Sequence, residues 1–270
     1  MINFSEILWK SGVTREQEPR TSAVTASGEI QVVSGLHHAP VEKVQLDPRS
    51  RVALLTDSRS AGADRLRLLR MRLLELRQLA KLRSIVITSP MPEDGKSTIA
   101  MSLATNLSEQ GQRTVLLIEA DLHRPTLAKS LGLRPRPGLA ECLEDGLDPL
   151  SQLRRVEPLG WYSLQAGSPR GNPTELIQSG ALKGLMERLT PYFDWILIDT
   201  PPVLPLTDAL SLSRQVDATL LVARADRTPR EAIEQALTVI GRKHVLGIVL
   251  NGADGLGRLY SQYYRHYGKK

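Results

Sequence analysis

The stretch Ile85-Val86-Ile87-Thr88-Ser89-Pro90-Met91-Pro92-Glu93-Asp94-Gly95-Lys96-Ser97-Thr98-Ile99 decides the fold. An apolar run opens it, a loop with proline and glycine follows, and an apolar helix is expected from Ile99. Apolar runs without alternation belong to strands covered on both faces. The Gly-Lys-Ser core between strand and helix is that of a phosphate-binding loop, or P-loop. The glycine lets the backbone approach phosphate oxygens, the lysine reaches the β- and γ-phosphates, and the hydroxyl ligates magnesium. The helix points its positive N-terminus at the same phosphates. Asp94, Gly95, Lys96, Ser97 and Thr98 are therefore the expected nucleotide contacts, with ATP and Mg2+ as ligands and Ser97 on the metal. Two positions depart from the pattern: its first glycine falls at Pro90, and Glu93 puts a carboxylate inside the loop.

Four more apolar runs lie downstream, at residues 115–118, 195–198, 218–222 and 245–250. Helical stretches separate most of them, which predicts a parallel sheet with right-handed crossovers. Ligands of such sheets bind beyond the carboxyl ends of the strands. Acidic residues stand there. Glu119 and Asp121 follow the second run, two residues apart and on one side if the strand continues. Asp199 ends the run at 195–198, as the magnesium-side carboxylate of P-loop enzymes does. Asp121 and Asp199 are expected at the metal with Ser97. Asn251, ending the last run, is a candidate adenine contact. The expected fold is α/β, a P-loop NTPase whose mainly parallel sheet carries helices on both faces.

Residues 1–48 are polar without sustained periodicity and are expected to be a flexible region, with a short amphipathic helix at 3–11 and a linker at 14–25. Residues 49–270 are expected to be the nucleotide-binding domain. Within it, residues 61–83 predict a helix, because Leu66, Leu69, Leu73, Leu76 and Leu79 recur at three- and four-residue steps. Its other face is rich in arginine. Four of the six tyrosines, Tyr260, Tyr263, Tyr264 and Tyr267, crowd the last eleven residues among basic side chains. The formal charge of +6 permits an anionic partner without identifying one. The single cysteine, Cys142, excludes an intrachain disulfide and fits a reducing compartment. No signal peptide is discernible, and no apolar stretch approaches the roughly 18 residues of a membrane span. A cytoplasmic protein is expected.

These residues resemble the bacterial tyrosine kinases, or BY-kinases, of capsule and exopolysaccharide systems, including their stand-alone autokinases. The resemblance rests on Ser89 to Thr98, on Leu-Leu-Ile-Glu-Ala-Asp-Leu-His-Arg-Pro ending at Pro125, on Gly-Asn-Pro-Thr-Glu-Leu-Ile at 171–177, and on Ile-Asp-Thr-Pro-Pro-Val-Leu-Pro-Leu-Thr-Asp-Ala ending at Ala209. Val-Leu-Asn at 249–251 and the tyrosine tail complete it. It implies transfer of the ATP γ-phosphate to tail tyrosines of a neighbouring subunit, with Lys96, Glu119, Asp121 and Asp199 as the catalytic set. Glu119, where the family usually has aspartate, would take the tyrosine proton. His123 stands where the family usually has arginine. A ring-forming helix motif is matched by Asp64, Arg67 and Arg70, which three-residue spacing places on one helix face. The implied partners are other copies of the chain, a membrane polysaccharide co-polymerase that activates it and recruits it to the inner face of the plasma membrane, and a tyrosine phosphatase.

Two other readings stand beside this one. A partitioning or positioning ATPase of the related ParA/MinD kind would bind DNA or membrane. Its extra P-loop lysine, however, would fall at Met91. No nucleic acid is expected here. A degenerate ATP-binding regulator is the other reading, kept open by Glu93 and Glu119.

Overall fold

The computed structural model describes Leu36 and residues 39–50, 52–53 and 60–253. The helix expected at 3–11, the linker at 14–25 and the tyrosine tail lie outside the described residues.

Eight strands form one sheet: β1 (Val41–Lys43), β2 (Ser84–Thr88), β3 (Val115–Glu119), β4 (Arg154–Glu157), β5 (Trp161–Leu164), β6 (Trp195–Asp199), β7 (Ala218–Arg224) and β8 (Val245–Asn251). Their order is β1-β4-β5-β3-β6-β2-β7-β8. Every neighbouring pair is parallel except β4 with β5. All five expected strands are present. Helices α1 (Ala61–Ala80), α2 (Lys96–Ser108), α3 (Leu127–Leu131), α4 (Leu139–Glu144), α5 (Pro149–Gln152), α6 (Pro173–Gln178), α7 (Ala181–Leu189), α8 (Asp208–Ser213) and α9 (Arg230–Ile240) connect or flank them.

Alternation along the central strands sorts their side chains into two cores. Ile85, Ile87, Leu117 and Leu197 pack with α1 and α2 on one face. Val86, Leu116, Ile118 and Ile198 pack with α4 and α7 on the other. Burial on both faces is what a strand without polar alternation requires.

The domain start expected at residue 49 lies too late. Val41–Lys43 pairs in register with Arg155 to Glu157, and Leu36 and Val44 are buried. The hydrogen bonds of this short edge strand place it in the sheet despite its polar sequence.

Helix α1 starts at Ser60, whose hydroxyl accepts from the Ala63 N–H at 3.0 Å. It stops at Lys81, which adopts the left-handed conformation. Leu66, Leu69 and Leu73 are buried, whereas Leu79 is 84% exposed. At 100° per residue, Leu79 lies about 240° around the helix from Leu73, off the buried stripe. The base of α1 is tied down by Arg77, which donates to Asp194 at 2.7 Å and lies 5.3 Å from the Trp195 ring centroid. Among the described residues, no helix is long and apolar enough to cross a membrane.

Candidate nucleotide and phosphoryl-transfer site

The carboxyl ends of β3, β6, β2 and β7 line up along one edge of the sheet, and a cleft of about 760 Å³ opens there. Its floor is the P-loop. Gly95, at φ +95°, ends the loop, and its carbonyl accepts the first helical bond from Ile99 at 3.0 Å. The N–H groups of a first helical turn have no partner within the helix. Lys96, Ser97 and Thr98 bring that turn to the cleft wall, so the expected phosphate contacts from Gly95 to Thr98 are assembled together.

Asp94 is placed differently from the expectation. Its side chain is buried and does not line the cleft. It accepts from the Thr228 hydroxyl at 2.6 Å and from the Met91 N–H at 3.0 Å. Its side chain shapes the loop from within. Glu93, at φ +66°, pairs with Arg227 at 2.6 Å. The Arg227 hydrogen bond and charge hold the Glu93 carboxyl below its ordinary range. The two carboxylates of the loop are thus compensated by residues after β7, and the loop keeps its form.

Lys96 crosses the cleft to Asp121 at 3.1 Å. Asp121 also accepts the Arg124 N–H at 3.0 Å. Asp199 is the in-register neighbour of Glu119 across β3 and β6. Asp199 is fully buried, and neither of its oxygens has a hydrogen-bond partner in good geometry among the described residues, although the Ser97 hydroxyl faces it. Burial pushes its carboxyl up to about 7; Lys96 and Ser97 pull downward, while Glu119 and Asp121 push upward. A buried carboxylate without partners is costly. Its chemistry fits a hard cation held with Ser97 and phosphate oxygens.

Glu119 does not take the position expected of a proton acceptor. It is 1% exposed and accepts from three backbone amides: Thr126, Leu127 at 2.6 Å and Ala166 at 3.3 Å. Burial raises its pKa, the three amides oppose that rise, and Asp121 adds to it. With both oxygens engaged, Glu119 anchors the start of α3 and the strand end after β5. Of the pair Glu119 and Asp121, only Asp121 lines the cleft.

His123 joins three distant motifs. Its Nε2 lies 3.0 Å from the buried Asp208 carboxylate at the start of α8, and 3.3 Å from the Thr174 hydroxyl in α6. Asn251, the candidate adenine contact, lies against the P-loop. Its side-chain amide donates to the Asp94 carbonyl at 2.9 Å. Arg224, Arg227 and Thr228 carried no local sequence signal, while Asp208 stood in a motif that gave no hint of its His123 partner. Asp64 and Arg67 pair with each other on α1, while Arg70 turns to the C-terminal end of α2, reaching the Asn106 carbonyl at 3.4 Å and Glu109 at 3.8 Å.

Comparison with known proteins agrees with this geometry. A family model described as "ParA: NUBPL iron-transfer P-loop NTPase" matches residues 82–255. The chain is 38% identical over 168 residues to the tyrosine-protein kinase ptk of Acinetobacter johnsonii, covering 62% of this chain and 22% of that longer protein. It is 30% identical over 205 residues to the tyrosine-protein kinase YwqD of Bacillus subtilis, covering 74% of this chain and 85% of that one. The kinase domain of the Escherichia coli tyrosine kinase ETK superposes with a TM-score of 0.70 at 25% identity, over 79% of this chain and 89% of the domain. Strand order, P-loop, carboxylate placement and kinship converge: the chain belongs to the bacterial tyrosine kinases, built on the fold of the ParA-type P-loop NTPases.

Proposed function

We propose that this chain transfers the γ-phosphate of ATP to tyrosines in the tail of a neighbouring copy, and thereby regulates capsule or exopolysaccharide synthesis. The observation that carries the reading is the convergence of Lys96, Asp121 and the buried Asp199, which Ser97 faces, on one P-loop. In the transfer, the phenol oxygen forms a bond to the γ-phosphorus while the bond to the bridging oxygen breaks, ADP leaves, and the phenol loses its proton. Lys96, now held by Asp121, turns to the phosphates when they bind and stabilises charge developing there. That exchange frees Asp121 to accept the phenolic proton. A magnesium ion would be held by Ser97, Asp199 and Asp121, directly or through water, and would neutralise phosphate charge.

Two features support the rest. The tail offers Tyr260, Tyr263, Tyr264 and Tyr267 as acceptors beside Arg258, Arg265, Lys269 and Lys270. Each phosphate adds about −1.5 to −2 charges, so the modified tail would be repelled by the carboxylates of the site. Self-association is supported by α1, where Leu68 and Met71 are 50% and 53% exposed one turn apart, beside the Asp64–Arg67 pair. A membrane polysaccharide co-polymerase as activator and a tyrosine phosphatase as antagonist are the partners this reading expects.

The test is incubation of the pure full chain with ATP and magnesium, followed by peptide mapping of phosphate. The expected result is phosphotyrosine at 260–267, absent from Lys96→Met and mostly removed when the four tyrosines become phenylalanine. Phosphate mainly on Tyr162 or Tyr192 would remove the tail from the account. No phosphotyrosine with continued ATP hydrolysis would favour the positioning-ATPase reading.

A further inference from the structure

The Asn251 side chain lies against the P-loop at the peptide that joins Asp94 to Gly95. It donates to the Asp94 carbonyl at 2.9 Å. An ideal Cβ built on Gly95 would stand 2.1 Å from the same Asn251 nitrogen. A side chain at position 95 and an amide at position 251 therefore cannot coexist without movement. At φ +95° Gly95 also holds a conformation that other residues rarely adopt.

A trans peptide holds its C=O and N–H in opposite directions. Turning the Asp94 carbonyl to Asn251 turns the Gly95 N–H away from Asn251. Gly95 lines the cleft and Asn251 does not; a Gly95 N–H directed away from Asn251 is compatible with a phosphate contact from the cleft. A flip of this peptide would replace that donor with a carbonyl oxygen, which repels phosphate. The neighbouring bonds hold the surroundings. Thr228 and Met91 fix the Asp94 side chain, and the Asn251 carbonyl accepts the Ala225 N–H at 2.8 Å, tying the β8 end to the turn after β7.

We infer that Asn251 is a positioning residue that locks the Asp94–Gly95 peptide with its N–H toward the phosphates, and that it acts on phosphate affinity and not on recognition of the base. The inference rests on the nucleotide-binding reading of the P-loop.

Calorimetric titration of the full chain with Mg-ADP, and separately with magnesium pyrophosphate, distinguishes the two roles. Asn251→Ala and the nearly isosteric Asn251→Leu are compared with the wild type, with melting temperature as the control for folding. Both variants are expected to lose affinity for ADP and for pyrophosphate by the same factor, about 10–100-fold, the range for one hydrogen bond to a charged group. Loss for ADP with pyrophosphate unchanged means that Asn251 touches the base, and overturns the lock. Unchanged affinity for both ligands also overturns it. If the wild type binds neither ligand, the nucleotide reading itself falls and takes the lock with it. Should Asn251→Leu melt early, Asn251→Ala carries the comparison, because it only removes atoms.

Discussion

Glu119 meets three backbone amides, one at each of Thr126, Leu127 and Ala166. Glutamine of the same length would turn one acceptor oxygen into a donor facing an amide N–H. Leaving a buried donor unsatisfied costs about 1–3 kcal/mol. Glu119→Gln should therefore lower the unfolding free energy by about that amount in urea titrations. Wild-type stability combined with a collapsed phosphorylation rate would restore Glu119 as the proton acceptor. The same residue shows where reading the sequence stops. The placement of Gly95, Lys96 and Ser97 together at the cleft was legible because their motif is contiguous. The roles of Asp94 and Glu119 depend on partners elsewhere: Thr228 lies 134 positions from Asp94, and Ala166 lies 47 from Glu119. A carboxylate at a strand end looks the same in sequence whether it faces a cleft or caps a turn.

Among elements, the central strands were legible because burial on both faces leaves an uninterrupted apolar run. β1, β4 and β5 were not. β4 buries only Val156 among its four residues, and β1 has three residues, all at least partly exposed. Such segments join the sheet by backbone pairing, which leaves little mark on side-chain pattern. α1 was legible up to Leu76, which packs partly buried against the core, and next to it Arg77 ties the helix to the sheet. Its partner Asp194 gives a pH-dependent prediction. Burial pushes the Asp194 carboxyl up, but the Arg77 and Thr114 hydrogen bonds and the Arg77 charge more than offset this, so its pKa is lowered. A lowered folded pKa means stabilisation that is complete above the ordinary value of 3.8 and lost as pH falls through the folded value. Asp194→Asn should cost about 1–2 kcal/mol at pH 7, a figure kept modest because the pair is partly exposed. The gap between variant and wild type should close in strong acid. Thermal melts at both pH values check this, and a gap independent of pH would show that Arg77 is not paired with an ionised Asp194.

For the molecule as a whole, the proposed self-association puts the outer face of α1, with Leu68 and Met71 among its charged pairs, against another copy. Leu68→Glu with Met71→Glu should leave the monomer's melting temperature within about 2 °C, since surface changes are usually within about 0.5 kcal/mol. It should also lower the mass seen by light scattering in ATP. An unchanged mass would exclude this face as the contact.

The position of Asn251 has a further consequence. The loop that grips phosphate is encoded near residue 95, yet its peptide is held by the final residue of the outermost strand, 157 positions later. Chains leaving the ribosome fold from the N-terminal side, so β2 and α2 can emerge early with the loop still free to flip. A growing polypeptide would then have no secure grip on ATP until β8 had emerged, and fragments abandoned before β8 would be poor consumers of the cell's nucleotide.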